Sequence, residues 1–594
     1  MYKILLFFTF LIWTAIHIYF LWLNEVLKVA DSFAYLQMSN YFNTLSLEWF
    51  GTGWFWFLYS IPIAAINFFL NNNFLSAQIL NIILFNISWI LLYKIAKQYL
   101  TKQYLILLIL LFFLSPILLH FNITILSENI YIPLFLLIVL ALQNFIEEPR
   151  ISDWIAFWFL IALMYFTRWE AFIYLWAIWL VSLILLIKSR EWKFSFPTSK
   201  FLSFNILLIL SFWLFVSPYI YHLHNLTWDW GLSNKWSSNL RQAIMRWKIQ
   251  MDDDGFEKAV AELTPDKKHL IAGFAWGLKY NKPKTQITLK NYILEDKTRF
   301  LNNWLENQKK LYSKNLPNII DWNARGLYFN IHSNFFYKNK IFLIVITIPL
   351  LLFVIWIFNL YKNKKRDILI ILFSFFFIAS VFFTLFFTLN RYFIIFLPLF
   401  LVIIVYAIQT IDKNISFTWT GFSKKPLNKN KFSMHSFIKI FLSLNIVLLY
   451  SLWLLSYYNT YETADKKYEI KKIAWTWLNE NNKYTNKNSP IIPFHKGDRS
   501  NLNILERFPI VTYYSETNNR FITPYTSSLT DLLVYAKFNK IDYLIVDTLD
   551  FAKYRPKLDF LLNEKKEFKW FQRIKTFKKE FNWKEQKVII YKIK

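Results

Sequence analysis

Long apolar runs broken by short polar stretches fill the first 456 residues. Each run is near the length of a bilayer-spanning helix, roughly 20 residues. About eleven read as spans. They are Ile4–Leu23, Leu75–Tyr93, Leu105–His120, Ile130–Phe145, a pair forming a hairpin around Thr167-Arg168-Trp169-Glu170, Phe201–Tyr221, Ile341–Leu360, Ile368–Leu389, Tyr392–Ile411 and Phe437–Leu455. Asp31–Phe42 predicts a helix lying on the outer surface, with Tyr35, Met38 and Phe42 along one stripe. Trp54–Leu70 is aromatic-rich, holds Pro62 and is short for the hydrocarbon core, so it reads as an outer-surface or re-entrant segment.

From Tyr457 the pattern becomes charged and turn-rich. Strand-like runs appear at Pro509–Tyr514, Ile541–Asp547 and Lys587–Lys592, with helical patterns at Thr530–Phe538 and Lys557–Lys566. The fold class is therefore a polytopic α-helical membrane protein with a C-terminal α/β domain. Residues 1–456 form the membrane domain, with an outer loop at 24–74 and a mostly helical outer insertion at 222–338. Residues 457–594 form the second domain. No repeat of fixed period is present.

Charge orients this pattern. The net charge is +29, with a hydrophobic fraction of 56%. Many basic residues sit in short loops: Lys94, Lys97 and Lys102, the segment Lys188–Lys200, Lys362–Arg366 and Asp412–Lys431. Placing these inside puts the N-terminus in the cytoplasm and the C-terminal domain outside a multi-pass plasma (inner) membrane. Topology and anionic lipid account for the basic excess, and no nucleic-acid motif competes with them. Met1–Leu23 has no small-residue cleavage site and reads as a retained first helix. The absence of Cys excludes disulfides, thiol catalysis and zinc–thiolate sites. Gly-rich phosphate loops, dinucleotide fingerprints and nucleophile elbows are also missing.

This topology gathers Asp31, Glu128, Arg168, Glu170 and Arg391 at the outer side, where ionisable groups are costly unless paired or lining a cavity. Asp31 suits a general base at a cavity rim, or a helix cap. Glu128 in Ser127-Glu128-Asn129 suits a catalytic acid position, or simple stabilisation by a helix N-terminus. Arg168 and Arg391 suit phosphate binding; the alternatives are pairing with a nearby acid for Arg168 and interfacial anchoring beside Tyr392 for Arg391. His222 and His224 make only a His-x-His, short of the three or four ligands zinc takes. Asp252–Asp254 reads as a solvated acidic loop.

In order along the chain come Asp31-Ser32-Phe33-Ala34-Tyr35, Leu126-Ser127-Glu128-Asn129-Ile130-Tyr131 and Phe166-Thr167-Arg168-Trp169-Glu170-Ala171. Ser217-Pro218-Tyr219, Leu232-Ser233-Asn234-Lys235-Trp236 and Asn390-Arg391-Tyr392 follow. This order resembles the GT-C membrane glycosyltransferases, nearest to bacterial relatives of protein O-mannosyltransferases and the lipid A aminoarabinose transferase. The resemblance implies a polyprenyl-phosphate sugar as donor. The acceptor would be a cell-envelope glycolipid, glycan or protein, and transfer a single inverting displacement. It places Asp31 as base and Glu128 as second acidic position, with Tyr35, Arg168, Glu170, Lys235, Arg391 and Tyr392 binding substrate. Ser32 replaces the second acid of the common Asp-Glu pair, and the His-Pro-Pro element is absent. The resemblance fixes no cofactor, and it leaves a divalent cation open. Two rivals remain: a flippase of lipid-linked glycans, which would show inverted repeats, and a non-catalytic membrane scaffold.

Overall fold

The computed structural model describes residues 11, 14, 15, 18, 19, 30–43, 57–147, 151–191, 198–227, 297–311, 367–384, 390–422, 469–474, 476–478, 503–506, 519–522, 529–538, 540–549, 551–554, 556–581 and 584–594. The chain forms two compact units. One comprises Met1–Leu21, Gln78–Pro218 and Leu301–Thr460; the other comprises Trp22–Ala77, Tyr219–Phe300 and Tyr461–Lys594.

Helix α1 (Ala30–Asn43) contains Asp31 and packs on α2 (Ser60–Leu70), which follows a 3₁₀ turn at Phe57–Tyr59. Ser60 Oγ donates to the Tyr35 carbonyl at 2.9 Å. The Tyr35 and Tyr59 rings meet edge to face at 5.3 Å. The Asn73 amide donates to Asn40 Oδ1 and, at 3.4 Å, to the Leu36 carbonyl. Tyr35 and Met38 are buried. The stripe expected to face a membrane surface therefore packs in part against protein, because buried hydrogen bonds draw α1 onto α2.

Helix α2 ends at Asn71, whose φ of 52° is the left-handed conformation that Asn tolerates at a helix end. Helix α3 (Asn73–Ala96) takes in the expected span Leu75–Tyr93. The next expected span is broken. Helices α4 (Lys102–Leu114) and α5 (Pro116–Ile123) meet at Ser115 with a bend of 54°. Pro116 has no N–H to continue α4 and disfavours helical geometry at Ser115. Ser115 is extended and its Oγ accepts from the Leu118 N–H at 3.4 Å, so it ends one helix and caps the next.

Helices α6 (Glu128–Glu147), α7 (Ile151–Thr167), α8 (Ile173–Glu191) and α9 (Thr198–Thr227) follow, with a 3₁₀ turn at Trp169–Phe172 joining α7 to α8. Helix α10 is Lys297–Lys310, and the rest of the insertion 222–338 beyond Thr227 and Leu311 lies outside the described residues. Helices α11 (Asp367–Thr384), α12 (Asn390–Phe393) and α13 (Leu397–Phe422) complete the first unit's described elements, with a 3₁₀ turn at Ile394–Phe396. Helix α13 carries through Asp412–Phe422, which the charge pattern had assigned to an inner loop. Polar residues do not end a helix unless Gly, Pro or a capping geometry intervenes.

Aromatic packing joins these helices. Tyr174 of α8 stacks on Phe375 of α11 at 5.3 Å, and Phe135 of α6 meets Phe375 and Phe396 at 5.6 and 5.3 Å. Gln409 clasps the turn before α4, accepting from the Thr101 N–H at 2.7 Å and donating to the Tyr99 carbonyl at 3.1 Å. Among the described residues, Asn73–Ala96 and Glu128–Ile146 are long and apolar enough to cross a membrane, and the α4–α5 pair, taken together, is a broken span or a re-entrant loop. Phe57–Leu70, Ala156–Thr167, Trp169–Ile184, Ile370–Phe383 and Ile394–Thr410 are shorter apolar helices. The expected spans at 341–360 and 437–455 lie outside the described residues, as does most of 4–23.

The second unit contains a five-stranded sheet in the order β2-β1-β3-β5-β4. The strands are β1 (Asn503–Glu506), β2 (Asn519–Ile522), β3 (Tyr543–Asp547), β4 (Phe571–Phe581) and β5 (Lys584–Ile593). Strands β2, β1 and β3 run parallel; β5 pairs antiparallel with β3, and β4 pairs antiparallel with β5 at the edge. Helix α14 (Leu529–Phe538) lies between β2 and β3, as a parallel crossover requires. Its Leu532, Tyr535 and Ala536 are buried at helical spacing against Leu544, Ile589 and Tyr591. A short helix, α15 (Phe551–Tyr554), and a 3₁₀ segment at Pro556–Leu562 replace the helix expected over Lys557–Lys566. The strand expected at Pro509–Tyr514 lies outside the described residues.

Lys471 Nζ lies 3.3 Å from Asp547 Oδ2, both side chains buried, while Asp547 Oδ1 accepts the Leu549 N–H at 2.9 Å. Lys471→Met removes the ammonium and leaves the buried carboxylate charged. A loss of about 3–5 kcal/mol is expected from breaking such a pair. Chemical unfolding of the full chain checks it, and an unchanged midpoint would contradict it.

Candidate active site

Helix α6 begins with Glu128, and the extended residue Arg168 (φ −156°, ψ 127°) separates α7 from the 3₁₀ turn that carries Glu170. The Arg168 N–H still donates to the Met164 carbonyl at 2.8 Å, so the end of α7 fixes its backbone. Arg168 Nη1 lies 2.5 Å from Glu128 Oε1, and Nη2 lies 3.3 Å from Glu170 Oε1. Nε donates to Glu170 Oε2 at 3.5 Å. All three side chains are at most 6% exposed. Burial at this level places the ions in a low-dielectric interior, where their mutual attraction is strong and the loss of one partner is costly.

Aromatic rings wall the cluster. Arg168 Cζ lies 5.2 Å from the Tyr392 ring centre and 5.8 Å from that of Tyr131, both within cation–π range. Tyr392 stacks on Phe383 at 4.7 Å. Ser127 Oγ donates to Glu128 Oε2 at 3.5 Å, and the N-terminus of α6 favours the carboxylate there. The constellation is a guanidinium held in place by two carboxylates and two phenol rings. Such a group is oriented before any substrate arrives.

The structure thus brings together Glu128, Arg168, Glu170 and Tyr392 from separate stretches of sequence. The pairing alternative raised for Arg168 is what its geometry shows. Tyr35 is buried on α1. Asp31 lies on α1 and Arg391 on α12, but their side chains lie outside the described residues, as does all of Lys235. Tyr131 was not singled out by sequence. Its signal was its place three residues after Glu128, on the same face of a helix. His222 and His224 sit two apart on α9, a spacing that turns them to different faces. Among the described residues no three His, Asp or Glu side chains gather where they could hold a metal ion. Asp252–Asp254 lies outside them.

The family model described as dolichyl-phosphate-mannose-protein mannosyltransferase matches residues 55–222, a stretch that includes Glu128, Arg168 and Glu170. This match supports the GT-C membrane glycosyltransferase class read from the motifs. No curated protein matches the chain. Among solved structures, the oligosaccharyltransferase AglB from Archaeoglobus fulgidus, in complex with an inhibitory peptide and a dolichol-phosphate, is similar at 12% identity and a TM-score of 0.46, over 94% of this chain and 70% of that one. ArnT from Cupriavidus metallidurans, bound to undecaprenyl phosphate, is similar at 9% identity and a TM-score of 0.44, over 98% of this chain and 97% of that one.

Proposed function

We propose that this protein is a plasma-membrane glycosyltransferase that moves a sugar from a polyprenyl-phosphate donor to a cell-envelope glycolipid, glycan or protein on the outer face. The observation that carries the reading is the buried Glu128–Arg168–Glu170 cluster within the stretch matched by the mannosyltransferase family model. Asp31 takes the proton of the acceptor hydroxyl. The acceptor oxygen forms its bond to the anomeric carbon as the bond from that carbon to the lipid phosphate breaks, and configuration inverts. The bonding pair leaves with the phosphate, giving free polyprenyl phosphate. Negative charge develops on that leaving group, and a preoriented guanidinium is the group that stabilises it most. Arg168 does so by sharing its donors between the phosphate and the carboxylates that hold it, with Arg391 as a second cation. Tyr35, Glu170, Lys235 and Tyr392 contribute to substrate binding. The N-terminus lies in the cytoplasm and the C-terminal domain outside, where it positions the acceptor.

The test is reconstitution of purified protein with a panel of polyprenyl-phosphate sugars and a cell-envelope extract, following release of free polyprenyl phosphate. Release by the wild type, lost in folded Asp31→Asn, is expected. Equal release by Asp31→Asn would return Asp31 to the role of a helix residue. No release with any donor, together with movement of a labelled lipid-linked glycan between leaflets, would instead favour the flippase.

A further inference from the structure

Between α5 and α6 the chain crosses four residues, 124–127, in a buried environment. The last carbonyls of α5 have no partners within the helix, and in an apolar interior each unmet one is costly. Backbone N–H groups reach the carbonyls of His120, Thr124 and Leu126, and side chains add further bonds at this junction. Thr124 Oγ1 donates to the His120 carbonyl at 2.8 Å. The Asn129 amide donates to the carbonyls of Phe121, Thr124 and Leu126 at 2.9, 2.8 and 3.1 Å. From α3, the Asn81 amide donates to the carbonyls of Asn122 and Thr124 at 2.8 and 3.0 Å, and the Asn122 amide returns a bond to the Asn81 carbonyl at 2.9 Å. Asn81, Asn122, Thr124 and Asn129 are all buried. Asn122 Oδ1 finds no donor among the described residues, so this arrangement is kept at an energetic cost.

The clasp ends beside Glu128. Thr124 is held four residues before it and Asn129 one residue after it, so hydrogen bonds tie the start of α6 to α5 and, through Thr124, to α3. Glu128, at the start of α6, must meet Arg168, just past the end of α7, at close range. Contacts of that kind are sensitive to displacements of about 1 Å.

We infer that Asn81, Asn122 and Asn129 are positioning residues for Glu128: the clasp they build sets its carboxylate against Arg168. The inference rests on the reading of this cluster as the transfer site. It acts through Glu128 and assigns these amides no contact with substrate.

The test is a double-mutant cycle on the reconstituted full chain. Asn81→Ala is expected to lower kcat for polyprenyl phosphate release about tenfold to hundredfold, with KM for the donor changed less than about twofold. Asn81→His, which keeps an N–H donor, restores part of the rate. The pair Asn81→Ala with Glu128→Gln is expected to lose no more than Glu128→Gln alone, because the clasp works only through that carboxylate. A purely structural clasp predicts losses that multiply, and that result overturns the inference. An unchanged kcat in folded Asn81→Ala overturns it as well. Asn122→Ala removes a single bond and gives the same comparison if Asn81→Ala does not fold. A wild type that releases nothing, or a Glu128→Gln variant at the full rate, overturns the site reading itself, a failure visible before any Asn variant is compared.

Discussion

Arg168→Leu is expected to be the most damaging single change in the membrane domain. The guanidinium is buried and contacts the carboxylates of both Glu128 and Glu170. Removing it brings two like charges together in a low-dielectric interior with their counter-ion gone. The expected loss of stability is about 3–5 kcal/mol, the range for breaking a buried pair by removing one partner. In detergent the thermal midpoint falls and folded yield drops. Arg168→Lys is expected to be intermediate. An ammonium keeps the charge, but it lacks the planar fork that reaches Glu128 with one nitrogen and Glu170 with two. A variant as stable as the wild type would show that the carboxylates do not depend on Arg168.

Glu128→Gln separates chemistry from stability. Glutamine is nearly isosteric, and its amide oxygen can still accept from Arg168. Glu170 remains to balance the guanidinium. Stability should therefore change much less than in Arg168→Leu. Transfer should not survive as well, because the anion that helps fix Arg168 toward the leaving phosphate is gone. A loss of about hundredfold to thousandfold is expected, the size seen when one preorganised electrostatic contact is removed. Release of polyprenyl phosphate and the thermal midpoint, measured on one preparation, check both halves. Loss of rate in step with loss of folded protein would mean that Glu128 is only structural.

Much of the helical framework was legible in the sequence because apolar runs of membrane length have few alternative structures. The turn at Arg168 could be placed for the same reason: two such runs leave only a tight polar stretch between them. The break at Ser115–Pro116 was not read, although Pro after an extended residue is a local signal, because the apolar run continues unbroken across it. Strand β4 was missed because it is an edge strand with a largely exposed, basic face, so its pattern does not alternate. At the site, Glu128, Arg168, Glu170 and Tyr392 were each legible as polar or aromatic residues at span ends. That they contact one another was not, because Glu128 and Arg168 are 40 residues apart and Tyr392 lies on a still later helix. The clasp was hidden for a related reason. Asn81 stands within an apolar run and Asn122 just past the end of another, and only the fold shows that their amides answer each other's carbonyls.

The most direct test of the account is where the donor phosphate sits. An undecaprenyl phosphate analogue carrying a photoreactive diazirine on its first isoprene unit would be cross-linked to the reconstituted protein, and the labelled peptides mapped by mass spectrometry. Labelling is expected around Ser127–Tyr131, Arg168–Phe172 or Asn390–Phe393, competed away by unmodified undecaprenyl phosphate and reduced in Arg168→Lys. Competed labelling confined to other segments, with these three untouched, would contradict it.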